Sequence, residues 1–160
     1  MSIKVGDKLP DATFMEMTED GPAPCTTADV FGGKTVALFA VPGAFTPTCS
    51  AKHLPGFVEK LDDLKGKGVD DVVCTSVNDV FVMGAWGSDN QAGGKVRMLA
   101  DGNGAFAKHR INLFLARPEL VHEVVPHVVK LRAEHRCTHL YLGGLREMVH
   151  RGMDLRVLQA

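Results

Sequence analysis

The run Thr35-Val36-Ala37-Leu38-Phe39-Ala40-Val41 constrains the fold more than any other stretch of the chain. It is apolar almost throughout, follows the turn signal Gly32-Gly33-Lys34 and ends at Pro42-Gly43. A strand with one wet face alternates polar and apolar residues. A run without alternation suits a strand buried on both faces, inside a sheet covered by helices. The next segment, Pro42-Gly43-Ala44-Phe45-Thr46-Pro47, holds two prolines and a glycine and must be loop. A helix is expected from about Thr48, with Leu54, Phe57, Val58, Leu61 and Leu64 at helical spacing and Gly66 and Gly68 ending it. Pro55 lies inside this helix and should kink it, because proline removes one backbone donor. Residues 69–77 read as a second buried strand, Asn78-Asp79 as the cap of a helix through Val80, Phe81, Met83 and Trp86, and residues 95–99 as a third strand. Asp101-Gly102-Asn103-Gly104 is a turn before Ala105-Phe106. Strands alternating with helices predict an α/β fold with parallel pairing.

Composition narrows the class. The chain has 160 residues, a formal net charge of −1, 45% hydrophobic and 23% charged residues, which fits one globular domain. A chain of this size buries about 70% of its unfolded surface, so its core needs no covalent staples. The near-zero charge argues against nucleic acid or an anionic membrane as the main partner. No apolar run approaches the ~20 residues of a membrane-spanning helix. The opening MSIKVGDKLPD has no apolar segment of the secretory kind. Cys25, Cys49, Cys74 and Cys137 are widely spaced, with no CxxC pair, so a reducing, cytoplasmic setting is expected.

A seam lies after Lys108. Residues 1–108 carry nine lysines and one arginine, and residues 109–160 carry one lysine and seven arginines. Histidines rise from one (His53) to six (His109, His122, His127, His135, His139 and His150), while glycines fall from fourteen to three. Ten basic and fourteen acidic groups precede the seam; eight basic and five acidic groups follow it. A second unit, a fusion, a diverged or frame-shifted tail, or chance in a short sample all produce such a shift. Pro118 suits a helix start, with Leu120, Val121, Val124, Val125, Val128 and Val129 along one face. Pro126 interrupts that face, leaving either a kinked helix or a helix to Val125 followed by a strand. Residues 138–142 with Gly143-Gly144 and Leu145 suit a hairpin closed by the glycines; Leu145, Met148, Val149 and Met153 equally fit a terminal helix.

One cysteine stands out. Cys49 falls just after a buried strand and a proline-rich loop, in the first turn of the long helix. Unpaired backbone N–H groups and the helix dipole favour an anion there, and the thiolate is the nucleophilic form. Thr46, three residues earlier, carries a hydroxyl that can donate to and accept from a small polar substrate. Pro42 and Pro47 stiffen the loop that covers the sulfur. A buried cysteine acting only as a small hydrophobe is the competing reading of position alone.

The local string decides between them. Pro42-Gly43-Ala44-Phe45-Thr46-Pro47-Thr48-Cys49-Ser50 resembles the P-x-x-x-T-x-x-C active-site signature of peroxiredoxins. The longer PGAFTPTCSAKHLPGF is similar to the subgroup related to peroxiredoxin 5. The likeness continues through Val73-Cys74-Thr75-Ser76-Val77-Asn78-Asp79, Gly84-Ala85-Trp86-Gly87 and residues 98–106, covering residues 3–108. The resemblance implies a thioredoxin-like domain over residues 1–160, with a central mixed β-sheet flanked by helices and residues 109–160 as an atypical tail. It implies a thiol peroxidase in which Cys49 is the peroxidatic cysteine, Thr46 hydrogen-bonds the peroxide and Pro42 shapes and shields the pocket. The implied substrates are hydrogen peroxide and alkyl hydroperoxides. The implied reductant is an external thiol: glutathione, glutaredoxin or thioredoxin. No metal, flavin or haem is implied, and a homodimer through the face near the site is.

The family also places an arginine beside the sulfur, in an R-x-x-R-[FY]-like stretch that this chain lacks. Arg136, with Arg132 one helical turn before it, is the nearest candidate. Cys74 is expected to be an inert core thiol, and Cys25, in Gly21-Pro22-Ala23-Pro24, an exposed loop thiol that is either modified or incidental. Cys137 receives no resolving role, so a one-cysteine cycle is expected. His53, one turn after Cys49, is expected to be structural. His135 and His139 would share a helix face as metal ligands do, which gives a metal-binding alternative. The remaining alternative is a catalytically impaired binding or chaperone-like relative with a replaced tail.

Overall fold

The structure is a computed structural model and describes residues 8–110, 127–132 and 136–142. An antiparallel hairpin, β1 (Thr13–Thr18) and β2 (Gly21–Thr26), leads into a short helix α1 (Thr27–Phe31) and strand β3 (Val36–Ala40). A π-turn (Cys49–His53), α2 (Leu54–Glu59) and α3 (Leu61–Gly66) follow, then β4 (Asp71–Ser76), α4 (Val80–Asp89), β5 (Arg97–Ala100) and α5 (Ala105–Arg110). Strands β6 (His127–Arg132) and β7 (Arg136–Leu142) complete one sheet in the order β2-β1-β5-β4-β3-β6-β7. The strands β3, β4 and β5 pair in parallel, whereas β1 joins β5 and β6 joins β3 in antiparallel fashion. The α/β sheet is therefore mixed.

The apolar run in β3 explains itself in the two cores. Ala37 and Phe39 face one core with Leu54, Phe57, Val72, Met83 and Trp86, and Val36 and Leu38 face the other with Phe14, Val30, Phe31, Leu99 and Phe106. Alternate side chains of one strand thus enter opposite layers, and neither face tolerates a polar residue. Phe39 stacks on Phe57 with ring centroids 3.8 Å apart, which fixes the Cys49-bearing helix against the sheet. Asp79 caps α4 by accepting from Val82 N–H at 2.9 Å, as its position in the sequence predicts. Asp101, buried, accepts from Phe106 and Ala107 N–H and so caps α5.

Three expectations change, for the long helix, for Cys25 and for the face shared by His135 and His139. The single kinked helix is a π-turn and two α-segments. Leu54 N–H bonds Cys49 O, five residues back. This wider turn sits where the Pro55 ring would otherwise crowd the carbonyl four residues before it. A second break falls at Lys60. The hairpin β1–β2 lacks a readable strand signal because Pro22 and Pro24 interrupt β2. Counted from the turn between Thr18 and Gly21, they fall on the positions whose N–H would point outward from the ladder, which an edge strand permits.

Cys25 is not an exposed loop thiol. It lies in β2 and is buried; loss of solvent pushes its pKa up to about 11, with the Glu16 charge adding to the rise. In the tail, residues 127–132 are strand, which agrees with the reading of that segment as ending in a strand, and β6 pairs antiparallel with β7. His139 lies in extended β7, so the helical face proposed for His135 and His139 is not formed. The helix expected from Pro118 to Val125, the Gly143-Gly144 turn, the helix around Leu145 to Met153, and His135 lie outside the described residues.

Replacing Phe57 by Ala removes one ring of the stacked pair from a fully packed core. The expected cost is about 3–5 kcal/mol of unfolding free energy, measured by urea denaturation.

Candidate active site

The carboxyl ends of β3 and β4 carry the loops that build the site. Val41 N–H donates to Thr75 O at 3.0 Å, continuing the pairing one residue beyond β3. The chain then turns away through exposed Pro42. Ala44 N–H donates to Asn78 Oδ1 at 2.9 Å, and Ser76 Oγ donates to the same oxygen at 2.8 Å. One amide carbonyl therefore ties the proline loop to the turn between β4 and α4. Gly102 packs on that turn so closely that a Cβ there would stand 3.3 Å from Asn78 O. Phe45 adopts φ 59°, the left-handed region that bulky residues rarely occupy, and its ring is half exposed. Such strain costs of order 1–3 kcal/mol and persists because the neighbouring bonds hold the loop.

Thr46 and Cys49 sit on this unit. Thr46 Oγ1 donates to Gly43 O at 2.9 Å, and Thr46 O accepts from Ser50 N–H at 3.0 Å. With its one proton committed to Gly43, the Thr46 hydroxyl meets any further group as an acceptor. Cys49 opens the π-turn, 1% exposed, in the same core as Phe39, Leu54, Cys74 and Trp86. Burial pushes the Cys74 thiol well above the ordinary cysteine range, and the charge of Cys49 adds to that rise. Cys74 is thus held as a neutral thiol behind Cys49, in line with an inert core role. Trp86 Nε1 donates to Ser50 Oγ at 2.9 Å, next to Cys49.

Arg97 and Arg136 lie elsewhere. Arg97, the one arginine of residues 1–108, donates from Nε to Glu16 Oε1 at 3.0 Å and reaches Asp71 at 3.5 Å. Asp71 pairs with Val36, so this ion cluster marks the amino ends of β3 and β4, away from Cys49. Arg136 begins β7 opposite Arg132, and β6 pairs Leu131 with Val36. The register therefore places Arg136 at that same far end, and its candidacy as the partner of the sulfur does not hold. The tail residue that the register sets opposite Ala40, at the site end of β3, is His127.

Sequence reasoning brought together Pro42, Thr46 and Cys49 because they are close along the chain. Asn78 and Ser50 belong to the strings that carry the resemblance, but the sequence assigns Asn78 only a capping role and Ser50 none. Their roles rest on bonds spanning 34 and 36 residues, for which no local pattern exists.

Comparison with known proteins places this site in context. The redoxin family profile matches residues 4–151, past the compositional seam. The chain is 51% identical over 107 residues to the chloroplastic peroxiredoxin-2E of Arabidopsis thaliana, covering 66% of this chain and 46% of that protein. It is 49% identical over 114 residues to peroxiredoxin-2B of the same plant, covering 71% of this chain and 70% of the relative. The chain thus spans about half the length of the first of these relatives. Among solved structures, reduced Prx3 in complex with H2O2 from Vibrio vulnificus superposes with a TM-score of 0.77 at 34% identity, covering 93% of this chain and 98% of that one. Peroxiredoxin 5 from Alvinella pompejana gives 0.67 at 30% identity, covering 87% of this chain and 88% of that one.

Two outcomes follow from the geometry. Asn78→Ala frees the Ala44 amide, whose hydrogen exchange should quicken about five- to tenfold, the weight of one net hydrogen bond, as read by NMR. A raised pKa leaves less thiolate at a given pH. Cys25 and Cys74 should therefore resist alkylation at pH 8, and the rate at Cys25 should climb only as pH approaches 11, followed by mass spectrometry.

Proposed function

Because the chain belongs to the peroxiredoxins of the redoxin family, we propose that it is a thiol-dependent peroxidase acting through Cys49. The observation that carries this reading is the placement of Cys49 in the first helical turn behind the loop holding Thr46. At the start of a helix, unpaired backbone N–H groups and the helix dipole favour an anion. The thiolate attacks one oxygen of hydrogen peroxide or an alkyl hydroperoxide. The O–O bond breaks, sulfur becomes a sulfenic acid, and the departing hydroxide or alkoxide takes a proton to leave as water or alcohol. Thr46 Oγ1 accepts from the peroxide O–H, and the fixed donors of the turn stabilise charge on the leaving oxygen. An external thiol then displaces water from the sulfenic acid, and a second thiol releases Cys49 from the mixed disulfide. Glutathione, glutaredoxin or thioredoxin fits that role. The described cysteines are free thiols, which suits a reducing, cytoplasmic setting.

A homodimer is part of the proposal. Phe45, Val77 and Phe81 are large, exposed and gathered on the elements that Asn78 ties together. The impaired-relative reading has one observation in its favour: Arg97 and the backbone of Arg136 lie at the opposite end of the sheet.

Rapid mixing with hydrogen peroxide, followed by Trp86 fluorescence and thiol loss, separates the two. The peroxidase reading expects fast stoichiometric oxidation that disappears in Cys49→Ser. Thr46→Val should slow it about 10- to 1000-fold, the range seen when one preorganised polar contact is lost, while Thr46→Ser retains most of the rate. Oxidation no faster than that of a free thiol, unchanged in Cys49→Ser, favours the impaired relative.

A further inference from the structure

Cys49 presents a conflict between its two partners. A peroxide is small enough to enter a covered pocket. An external thiol must bring its own sulfur into direct contact with the oxidised one. With Cys49 only 1% exposed, the turn that bears it must open before that second encounter. What holds the turn shut therefore affects the two halves of the cycle in opposite directions.

The bonds within the turn, Ser50 N–H to Thr46 O and Leu54 N–H to Cys49 O, are local. The bond from Trp86 Nε1 to Ser50 Oγ is of another kind, because it ties the turn to α4 across 36 residues of sequence. The anchor at its far end is rigid. Trp86 is fully buried, α4 is capped by Asp79, and Gly87 lies so close to β5 that a Cβ there would meet Met98 Cγ at 2.8 Å. A buried indole N–H also needs an acceptor, so opening the turn leaves Trp86 unsatisfied.

We propose that Trp86 is a positioning residue whose hydrogen bond to Ser50 latches the Cys49 turn closed and sets how often Cys49 becomes accessible to a thiol. Its kinetic consequence rests on the peroxidase reading above; the latch itself does not. Trp86→Phe keeps a ring in the core and removes the donor, and Ser50→Ala removes the acceptor. Each should raise the population of the open turn about five- to tenfold, the equilibrium weight of one net hydrogen bond.

The test uses the reduced full chain and no peroxide. Iodoacetamide labelling rates at Cys49 and Cys74 are read separately by mass spectrometry in wild type, Trp86→Phe, Ser50→Ala, Ser50→Thr and the double variant Ser50→Ala/Trp86→Phe. Cys49 should label five- to tenfold faster in each single variant, by the same factor and no more in the double variant, and at the wild-type rate in Ser50→Thr, with Cys74 unchanged throughout. A parallel rise at Cys74 would indicate general loosening and overturn the latch. Unchanged Cys49 labelling in both single variants, or a multiplied effect in the double, would overturn it as well. Quenched-flow mass spectrometry then reads the cycle: both single variants should speed glutathione reduction of oxidised Cys49 and slow its oxidation by peroxide. If wild-type Cys49 reacts with peroxide no faster than a free thiol, the peroxidase reading fails while the labelling result still decides the latch.

Discussion

Burial of β3 on both faces is the constraint from which the rest of the structure follows. A strand whose alternate side chains all enter a core must lie inside a sheet, with helices above and below. Ala37 and Phe39 on one side and Val36 and Leu38 on the other meet that condition. The strands on either side of β3, and the helices over it, are then required by the need to cover apolar surface. The Cys49 helix is one of those covers, held by the stack of Phe57 on Phe39. The reactive thiol is thus built into the packing that stabilises the sheet.

That placement explains the character of the site. The parallel strands end together, so the loop after β3 meets the turn after β4, and Asn78 joins them through Ala44 and Ser76. The loop can then carry Phe45 in a costly backbone conformation and present Thr46 beside the helix start. Burial also sorts the cysteines. Cys25 and Cys74, removed from water without a donor array, are held as neutral thiols. Cys49, also buried, alone among the described cysteines begins a helical turn.

The tail shows how a compositional boundary and a structural one differ. Lysine gives way to arginine and glycine becomes scarce after Lys108, yet β6 pairs with β3 along its whole length. Charge and composition describe the solvent-facing surface, whereas a strand joins a sheet through backbone hydrogen bonds that any non-proline residue supplies. The same register removes Arg136 from the site. Its order in the chain resembled that of an active-site arginine, but two reversals of direction carry it to the opposite end of the sheet.

The sequence by itself determined the buried strands, the cap at Asp79, the turn ahead of Ala105, and the closeness along the chain of Pro42, Thr46 and Cys49. Each of these is a local property, expressed through periodicity, capping or a spacing of a few residues. Tertiary structure alone decided the π-turn under Pro55, the burial of Cys25, the hold of Asn78 on the loop, the bond from Trp86 to Ser50, and the end of the sheet at which Arg97 and Arg136 lie. These depend on which distant segments the sheet brings together. Pairing across tens of residues has no periodic signature, because the backbone groups that make it are the same at every position.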